Sequence, residues 1–171
     1  MSITIHPATS ADLPAINEIY NDGGVGTTAS YDLEPLTLAQ QQQWWNDLQE
    51  QNYPVFVAVE GSIVAGFAYF SSFKNKAGYR HTIEHTIYVY QDFRGRGVGA
   101  LLMKHEIEVA KVSGVHAMVA AVDGRNETSL GFHQRFGFEE VGRMPEVGRK
   151  FGQWQTLVYM LLLFPENQPE D

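Results

Sequence analysis

A glycine- and arginine-rich turn, Arg94-Gly95-Arg96-Gly97-Val98-Gly99, has the composition of a phosphate-binding site. Glycines let the backbone come close to a ligand, and the unpaired N–H groups at the start of a following helix point toward that ligand. The helix dipole adds to the attraction for an anion, and two arginine side chains supply positive charge. The turn therefore predicts a site for a phosphate or pyrophosphate group.

Three kinds of phosphate-binding site use turns of this type. A plain strand-to-helix connection that binds no ligand would also explain the glycines. A P-loop is excluded because the turn lacks the Gly-Lys-Ser/Thr ending. A dinucleotide-binding fold has such a turn after an early strand of a βαβ unit. Here the turn lies in mid-chain, and the next predicted strand, which ends in Ala121-Val122-Asp123, does not match the rest of that unit. A site for the pyrophosphate of coenzyme A is the third kind. The turn alone does not separate it from the plain connection.

Strands and helices on both sides must position this turn. An alternating strand from His81 to Val89 precedes it, and a helical pattern begins at Val98. Ser10 is the predicted cap of a first helix, and Thr37 caps a second that runs to about Gln51. The whole pattern predicts one mixed α/β (α+β) domain with the order β-α-α-β-β-β-α-β-α-β-β. We expect this domain over residues 1–165 and a polar tail over residues 166–171.

Composition excludes several classes of protein. A net charge of −8 over 171 residues argues against a nucleic-acid binder, and the absence of cysteine removes disulfides and thiolate chemistry. The first seven residues lack the basic start and long apolar run that a signal peptide would have, and the late apolar run Leu157 to Phe164 is too short to span a membrane. His81, His105 and His116 show no ligand spacing, so no metal is expected. We expect a cytoplasmic protein without membrane or nucleic-acid partners.

Two motifs together give the sequence a resemblance to the GNAT superfamily of N-acetyltransferases. The turn matches the Arg/Gln-x-x-Gly-x-Gly/Ala signature of that superfamily and follows a strand. A second feature, Asn126-Glu127-Thr128-Ser129 followed by His133 to Phe138, stands at the expected distance. The resemblance implies a GNAT fold, in which a central twisted mixed sheet of about seven strands is flanked by about four helices.

Four segments are similar more narrowly to the phosphinothricin and methionine sulfoximine N-acetyltransferases. They are Ile19-Tyr20-Asn21, Thr27-Thr28-Ala29, Gly78 to Val89 and Val147 to Trp154. The resemblance implies acetyl transfer from acetyl-CoA to the α-amino group of phosphinothricin, methionine sulfoximine or methionine sulfone, an activity associated with antibiotic resistance. Two alternatives stay open: a GNAT enzyme for a polyamine, an aminoglycoside or a protein N-terminus, and a CoA-binding sensor without catalysis.

The resemblance assigns catalytic roles to two residues. Glu84 is expected to be the general base, because its apolar strand would raise the pKa of the carboxyl group toward neutrality. An exposed glutamate on a polar strand face is the competing explanation. His133 stands where many GNAT enzymes have a tyrosine that protonates the leaving thiolate, and a histidine can perform that transfer. A polar residue on a helix surface would look the same in the sequence.

The resemblance also implies two sets of binding residues. Backbone groups of one strand are expected to hold the pantetheine arm and the turn to hold the pyrophosphate. Asn126 is expected to bond pantetheine amides, although a helix cap is a rival explanation. The acetyl-CoA set is Ile87, Tyr88, Val89, Arg94, Gly95, Arg96, Gly97, Val98, Gly99, Ala100, Asn126 and Arg135. The substrate set is Lys74, Asn75, Lys76, His85 and Thr86.

The sequence departs from its relatives at two places. Lys74 stands where relatives often have an arginine. The positive charge is kept, but the guanidinium group, which can form two parallel hydrogen bonds with a carboxylate, is lost. Gly23 and Gly24 stand in a segment that is less flexible in relatives, which suggests mobility. The family often forms dimers, so the resemblance further implies a homodimer that acts on a small amino-acid-like molecule.

Overall fold

The fold is a mixed α/β fold of seven strands and four helices, which confirms the predicted class and element order. The computed structural model describes residues 2–169, so Met1, Glu170 and Asp171 lie outside the described residues. The strands are β1 (Ile3–Pro7), β2 (Val55–Glu60), β3 (Ile63–Ser72), β4 (Thr82–Val89), β5 (Ala117–Asp123), β6 (Glu139–Lys150) and β7 (Gln153–Leu163). The helices are α1 (Leu13–Tyr20), α2 (Leu38–Glu50), α3 (Val98–Val112) and α4 (Glu127–Arg135).

The strands are hydrogen-bonded in the order β1-β2-β3-β4-β5-β7-β6. β1 with β2, β2 with β3, β5 with β7 and β6 with β7 are antiparallel, whereas β4 and β5 are parallel. The parallel ladder joins Thr82, Ile83 and Glu84 to residues 117–119. Because β4 continues to Val89, this ladder uses only the first part of the strand.

The chain divides into two compact units. One comprises Met1–Ser71 and Thr86–Ile107, and the other comprises Ser72–His85 and Glu108–Asp171. The expected single domain over residues 1–165 therefore stays a prediction.

The first unit has a core between helices α1 and α2 and strands β2 and β3. Leu13, Ile16 and Ile19 recur every three residues, so they lie on one face of α1 and are buried together. They pack with Leu48, Val55, Val57 and Phe67. This burial explains why the short helix α1 is stable, since helices of this length depend on tertiary packing.

Helix caps in the first unit confirm one prediction and correct another. Thr37 Oγ1 accepts a hydrogen bond from Gln40 N (3.2 Å), and Gln40 Oε1 accepts one from Thr37 N (2.8 Å), which is a capping box at the start of α2. The prediction of Ser10 as a cap is wrong. A single 3₁₀ turn precedes α1, and Thr9 with Asp12 forms its capping box.

The glycine pair after α1 lies in a buried π-helical turn, Asn21–Val25. A Cβ atom on Gly23 would lie 3.2 Å from Arg94 Nη2, and one on Gly24 would lie 3.2 Å from the Tyr88 ring. These contacts are tighter than most side chains tolerate. Close packing against tyrosine rings therefore explains Gly24, whereas a side chain at Gly23 would meet only the end of the exposed Arg94 side chain.

The second unit contains β5, β7 and β6 and includes part of the predicted C-terminal tail. Asn167 Nδ2 donates hydrogen bonds to the carbonyl oxygens of Lys111 (2.8 Å) and Val115 (2.7 Å). His116 Nδ1 donates to the Asn167 carbonyl oxygen (2.8 Å). Asn167 therefore belongs to the packed structure at the end of α3, whereas the last two residues of the expected tail lie outside the described residues.

Helix α3 carries a fully buried carboxylic acid. With 15 residues it is the longest helix, and no helix over residues 2–169 is long and apolar enough to cross a membrane. The side chain of Glu106 is completely buried, and burial raises its pKa well above the ordinary value. The folded protein therefore favours a protonated Glu106.

We predict that Glu106→Gln makes stability less dependent on pH. Because the pKa is raised in the folded state, stability is fully present below the unfolded pKa of a glutamate and falls as pH rises toward the folded pKa. At pH 8 the variant should be more stable than the wild type, because a neutral amide needs no proton to stay buried, and at pH 5 the two should differ less. Urea unfolding at pH 5 and pH 8 measures this. Glu108→Gln, on an exposed side chain of the same helix, is the control, and equal shifts in both variants would contradict the prediction.

Candidate active site

The predicted phosphate turn has the backbone that its glycines suggest. Gly95 and Gly97 have positive φ angles of 74° and 82°, a region that other residues rarely occupy. α3 begins directly afterwards at Val98, and its first backbone hydrogen bond inside the helix runs from Leu101 N to Gly97 O (3.1 Å). The N–H groups of residues 98–100 are therefore those that a helix start offers to an anion.

The two arginines of the turn have different environments. Arg96 forms an ion pair with Glu60 (Nη2 to Oε1, 2.6 Å), and its guanidinium group lies 4.7 Å from the centre of the Phe93 ring. Arg94 is exposed, and its Nε donates to the Val89 carbonyl oxygen (3.3 Å). Arg94 is therefore better placed than Arg96 to offer its charge to a phosphate group.

The second part of β4 contains the predicted pantetheine residues Ile87, Tyr88 and Val89. All three are half-buried, in agreement with side chains that pack while their backbone groups stay available. The Tyr88 hydroxyl donates a hydrogen bond to the Ala29 carbonyl oxygen (3.2 Å). Burial raises the pKa of this hydroxyl, so it stays protonated near neutral pH.

Glu84 lies in the first part of β4, opposite Val119 of β5. The side chain is half-buried, and burial raises its pKa above the ordinary value, as the sequence predicts. Burial also raises the pKa of Tyr159 on β7, and the charge of Glu84 raises it further. Because its pKa is raised, the Glu84 carboxylate binds a proton more readily than the carboxylate of an ordinary glutamate.

His85 and His133 form a buried hydrogen-bonded pair. Their Nε2 atoms are 3.0 Å apart, and His133 Nδ1 donates to the Ser129 carbonyl oxygen (2.7 Å). The Nδ1 hydrogen leaves His133 Nε2 as an acceptor, so the hydrogen-bond pattern assigns the Nε2 hydrogen to His85. Burial lowers the pKa of His85 to about 3, and burial together with His85 lowers the pKa of His133 to about 4. Both rings are therefore neutral near pH 7.

The remaining predicted cofactor residues lie on or next to α4. Asn126 Oδ1 accepts a hydrogen bond from Ser129 N (3.0 Å), which caps the helix. The cap uses the oxygen of this amide and not Nδ2, so capping and ligand binding are compatible. Arg135 is exposed at the end of α4, and its guanidinium group lies 6.0 Å from the centre of the Phe132 ring.

The predicted substrate residues fall into different environments. Lys74, Asn75 and Lys76 lie on an exposed turn, and Lys74 Nζ is 5.2 Å from the centre of the Phe73 ring. Thr86 is half-buried, whereas His85 is buried with His133. Within residues 2–169, no three His, Cys, Asp or Glu side chains are grouped so as to hold a metal ion.

Comparison with known proteins establishes the family. Residues 13–138 match the sequence profile described as Acetyltransferase (GNAT) family. The chain belongs to this family. Membership confirms the predicted enzyme class, an acetyl-CoA-dependent N-acetyltransferase.

This GNAT acetyltransferase is similar over almost its whole length to enzymes that act on amino acids or their analogues. It is 44% identical over 163 residues to the L-methionine sulfoximine/L-methionine sulfone acetyltransferase of Pseudomonas aeruginosa, covering 95% of each chain. It is 37% identical over 169 residues to the L-amino acid N-acyltransferase MnaT of Escherichia coli, covering 99% of this chain and 98% of MnaT.

A solved structure shows the same fold. The phosphinothricin acetyltransferase of Sinorhizobium meliloti, in complex with acetyl-CoA, superposes with a TM-score of 0.94 and 30% identity. The match covers 100% of this chain and 95% of that chain. These similarities confirm the predicted resemblance to the phosphinothricin and methionine sulfoximine enzymes, whereas the roles of individual residues stay predictions.

Two features of the GNAT enzyme were not predicted from its sequence. Tyr159 shares the electrostatic field of Glu84, but in the sequence it is one aromatic residue in an apolar strand. Arg125 donates to the Gln153 side chain and to the Trp154 carbonyl oxygen, each at 2.8 Å, and so ties the segment before α4 to β7. Its position next to Asn126 is the signal that points to such an anchoring role.

We predict that the histidine pair makes the GNAT enzyme unstable toward acid. Since both folded pKa values are lowered, the stability that depends on neutral rings is present above the unfolded pKa near 6.5. It is lost as pH falls toward the folded values of about 4 and about 3. The loss should be about 1.4 kcal/mol per pH unit for each histidine.

Chemical unfolding between pH 7 and pH 5 measures this loss. The double variant His85→Gln/His133→Gln should show a much flatter pH dependence than the wild type, whatever its stability at pH 7. His6→Gln, on an exposed histidine, is the control and should follow the wild type. A double variant with the wild-type slope would show that the pair does not control acid stability.

Proposed function

We propose that this GNAT enzyme acetylates the α-amino group of a small amino-acid-like molecule of the methionine sulfoximine, methionine sulfone or phosphinothricin type. The 44% identity to the Pseudomonas aeruginosa enzyme over 95% of the chain carries the substrate class. A half-buried Glu84 with a raised pKa provides the base that such a transfer requires.

Acetyl-CoA is the proposed acetyl donor. The positive-φ glycines and the α3 N-terminus would hold its pyrophosphate, with Arg94 in support. Backbone groups of Ile87 to Val89 would bond the pantetheine arm, and a backbone N–H there would polarise the thioester carbonyl. Asn126 Nδ2 is a further donor, and exposed Arg135 is available to a CoA phosphate.

Glu84 is the proposed general base. Its carboxylate would take a proton from the substrate ammonium group, directly or through a water molecule, and leave a neutral amine. The amine nitrogen then forms a bond to the thioester carbonyl carbon, the carbon–sulfur bond breaks, and the second proton of the amine passes through water to the leaving thiolate, which gives the amide and the free CoA thiol. The raised pKa lets a carboxylate compete better for the ammonium proton than an ordinary glutamate would.

The hydrogen bonds of His133 favour a positioning role. To protonate the thiolate from Nε2, His133 would need a second proton, and its lowered pKa opposes this near pH 7. We propose that His133 and His85 fix α4 and its capping residue Asn126 relative to Glu84, and that His85 does not contact substrate. The general-acid role predicted for His133 has no support from this geometry.

Lys74 and Lys76 favour an anionic amine over a polycation. Both ammonium groups are exposed on one turn, where they would attract a substrate carboxylate and repel a polyamine or an aminoglycoside. A non-catalytic CoA-binding sensor would have no need for a carboxyl group with a raised pKa. An amino acid analogue is therefore the preferred acceptor among the alternatives.

A thiol-release assay with acetyl-CoA tests the proposed reaction. Phosphinothricin, methionine sulfoximine and methionine sulfone should be acetylated, whereas spermidine and an aminoglycoside should not. Lys74→Ala should raise KM about fivefold, since an exposed ion pair contributes up to about 1 kcal/mol. Lys104→Ala, on an exposed residue of α3, is the control. Turnover of spermidine alone would overturn the substrate class, and acetyl-CoA binding without any turnover would favour the sensor.

We predict that Glu84→Gln lowers kcat about 10²- to 10⁴-fold, the usual contribution of a general base. Acetyl-CoA affinity should be unchanged. In the wild type, kcat/KM should increase with pH over a range that lies above the ordinary pKa of glutamate, because the base acts only when it is ionised. The variant should not show this increase. Glu139→Gln, on an exposed residue of β6, controls for the loss of one negative charge, and undiminished turnover in Glu84→Gln would refute the assignment.

A homodimer is proposed from the apolar surface of the β6–β7 hairpin. β6 is an edge strand, and Val147, Phe151 and Trp154 are each more than half exposed. Light scattering should give twice the mass of the 19.2 kDa chain. Trp154→Glu should shift the enzyme toward the monomer, whereas Leu33→Glu, on an exposed loop residue, should not. A monomeric wild type at micromolar concentration would contradict the dimer.

A further inference from the structure

A cavity in the first compact unit contains none of the residues predicted to bind acetyl-CoA or the acetyl acceptor. Its volume is about 180 Å³. A cavity of about 150 Å³ holds benzene, so this one accepts a molecule of that size or slightly larger. Its principal lining residues are Tyr20, Asp32, Gln41, Trp44, Phe67 and Tyr69.

Aromatic rings form most of the cavity wall. The Trp44 ring stands nearly perpendicular to the Tyr69 ring (centroids 5.0 Å apart, 82°) and to the Phe67 ring (6.4 Å, 78°). The Phe67 and Tyr69 rings are parallel to each other. Aromatic rings attract organic cations that reach their faces, so an aromatic lining favours a cationic ligand.

One carboxylate lines the same cavity. Asp32 accepts a hydrogen bond from the Tyr20 hydroxyl, which also lies 2.8 Å from Ser30 Oγ. Burial and this bond to Asp32 raise the pKa of Tyr20, so the hydroxyl keeps its proton. None of the ion pairs found within residues 2–169 involves Asp32. Its negative charge is therefore not neutralised by a basic side chain, and it is exposed, so the cavity can be reached from solution.

A buried amide adds one polar group to the wall. The Gln41 side chain is only 2% exposed, and its Oε1 accepts a long hydrogen bond from Asn17 Nδ2 (3.4 Å). Its Nε2 makes no hydrogen bond to another side chain or carbonyl of the described residues. This nitrogen is not sealed from water, so it can donate to a ligand in the cavity. A ligand that combines a cationic end with a hydroxyl group would satisfy both the π faces and this amide.

We propose that this cavity is a binding site for a small organic ammonium ion, such as a methylated amine with a hydroxyl group. The aromatic walls and the unneutralised Asp32 select positive charge, and the same groups repel an amino-acid carboxylate. The site differs in charge from the two-lysine turn proposed for the acetyl acceptor. It does not depend on the proposed acetyl transfer, because it uses no residue of that reaction.

Isothermal titration calorimetry with choline and tetramethylammonium tests the proposal on the full-length enzyme. The neutral carbon isostere 3,3-dimethylbutan-1-ol has the shape of choline without its charge. Choline should bind at least tenfold more tightly than this alcohol. Asp32→Asn should remove about a factor of ten from choline affinity, and Trp44→Leu should weaken it similarly. Glu34→Gln, on an exposed residue of the same loop that does not line the cavity, should bind choline as the wild type does.

Several results would overturn the site. They are no saturable binding of either ammonium ion, equal binding of the alcohol and choline, and equal weakening by Asp32→Asn and Glu34→Gln. The comparison of choline with its isostere uses the wild type only, so it holds even where a variant folds poorly. Acetyl transfer by Asp32→Asn should continue unchanged, so a failure of this proposal is distinct from a failure of the proposed reaction.

Discussion

A hydrogen bond between two neutral imidazole rings, His85 and His133, joins strand β4 to helix α4 in the second unit. One backbone carbonyl, that of Ser129, fixes the hydrogen of His133 on Nδ1 and thereby fixes the tautomer of both rings. Several positions depend on this arrangement. Glu84 is the immediate neighbour of His85, and Asn126 caps the same helix that carries His133. The pair therefore joins the strand that carries Glu84 to the helix that begins after Asn126.

The first unit has a different controlling contact, the close approach of a buried π-helical turn to strand β4. Gly23 and Gly24 leave room for Arg94 and for the Tyr88 ring. A side chain at Gly23 would press on the end of Arg94, and one at Gly24 would press on Tyr88 of β4. Thus a segment far from the turn in sequence controls its surroundings through simple steric exclusion.

The sequence predicts the element order because hydrophobic periodicity and turn residues agree along the whole chain. It also predicts the glycine turn and the raised pKa of Glu84, since both follow from local composition. The role of Gly23 and Gly24 could not be predicted, because a flexible segment and a closely packed one can both require glycine. His133 illustrates a second limit. Its partner lies 48 residues away, and only that partner shows that both ring nitrogens are occupied. Similarly, Ser10 and Thr9 are both good caps by residue type, and only the structure shows that Thr9 forms the capping box with Asp12.

The hydrogen bonds of Asn167 at the end of α3 have a practical consequence for anyone who handles this protein. Its side chain supplies the donor for the Val115 carbonyl oxygen, and its backbone oxygen holds His116. A shortened version that ends before this residue would leave those groups to water and loosen the junction between α3 and β5. A purification tag on this side of the chain is therefore best separated from Asn167 by a flexible spacer, and a protease that removes Asn167 would cut into packed structure.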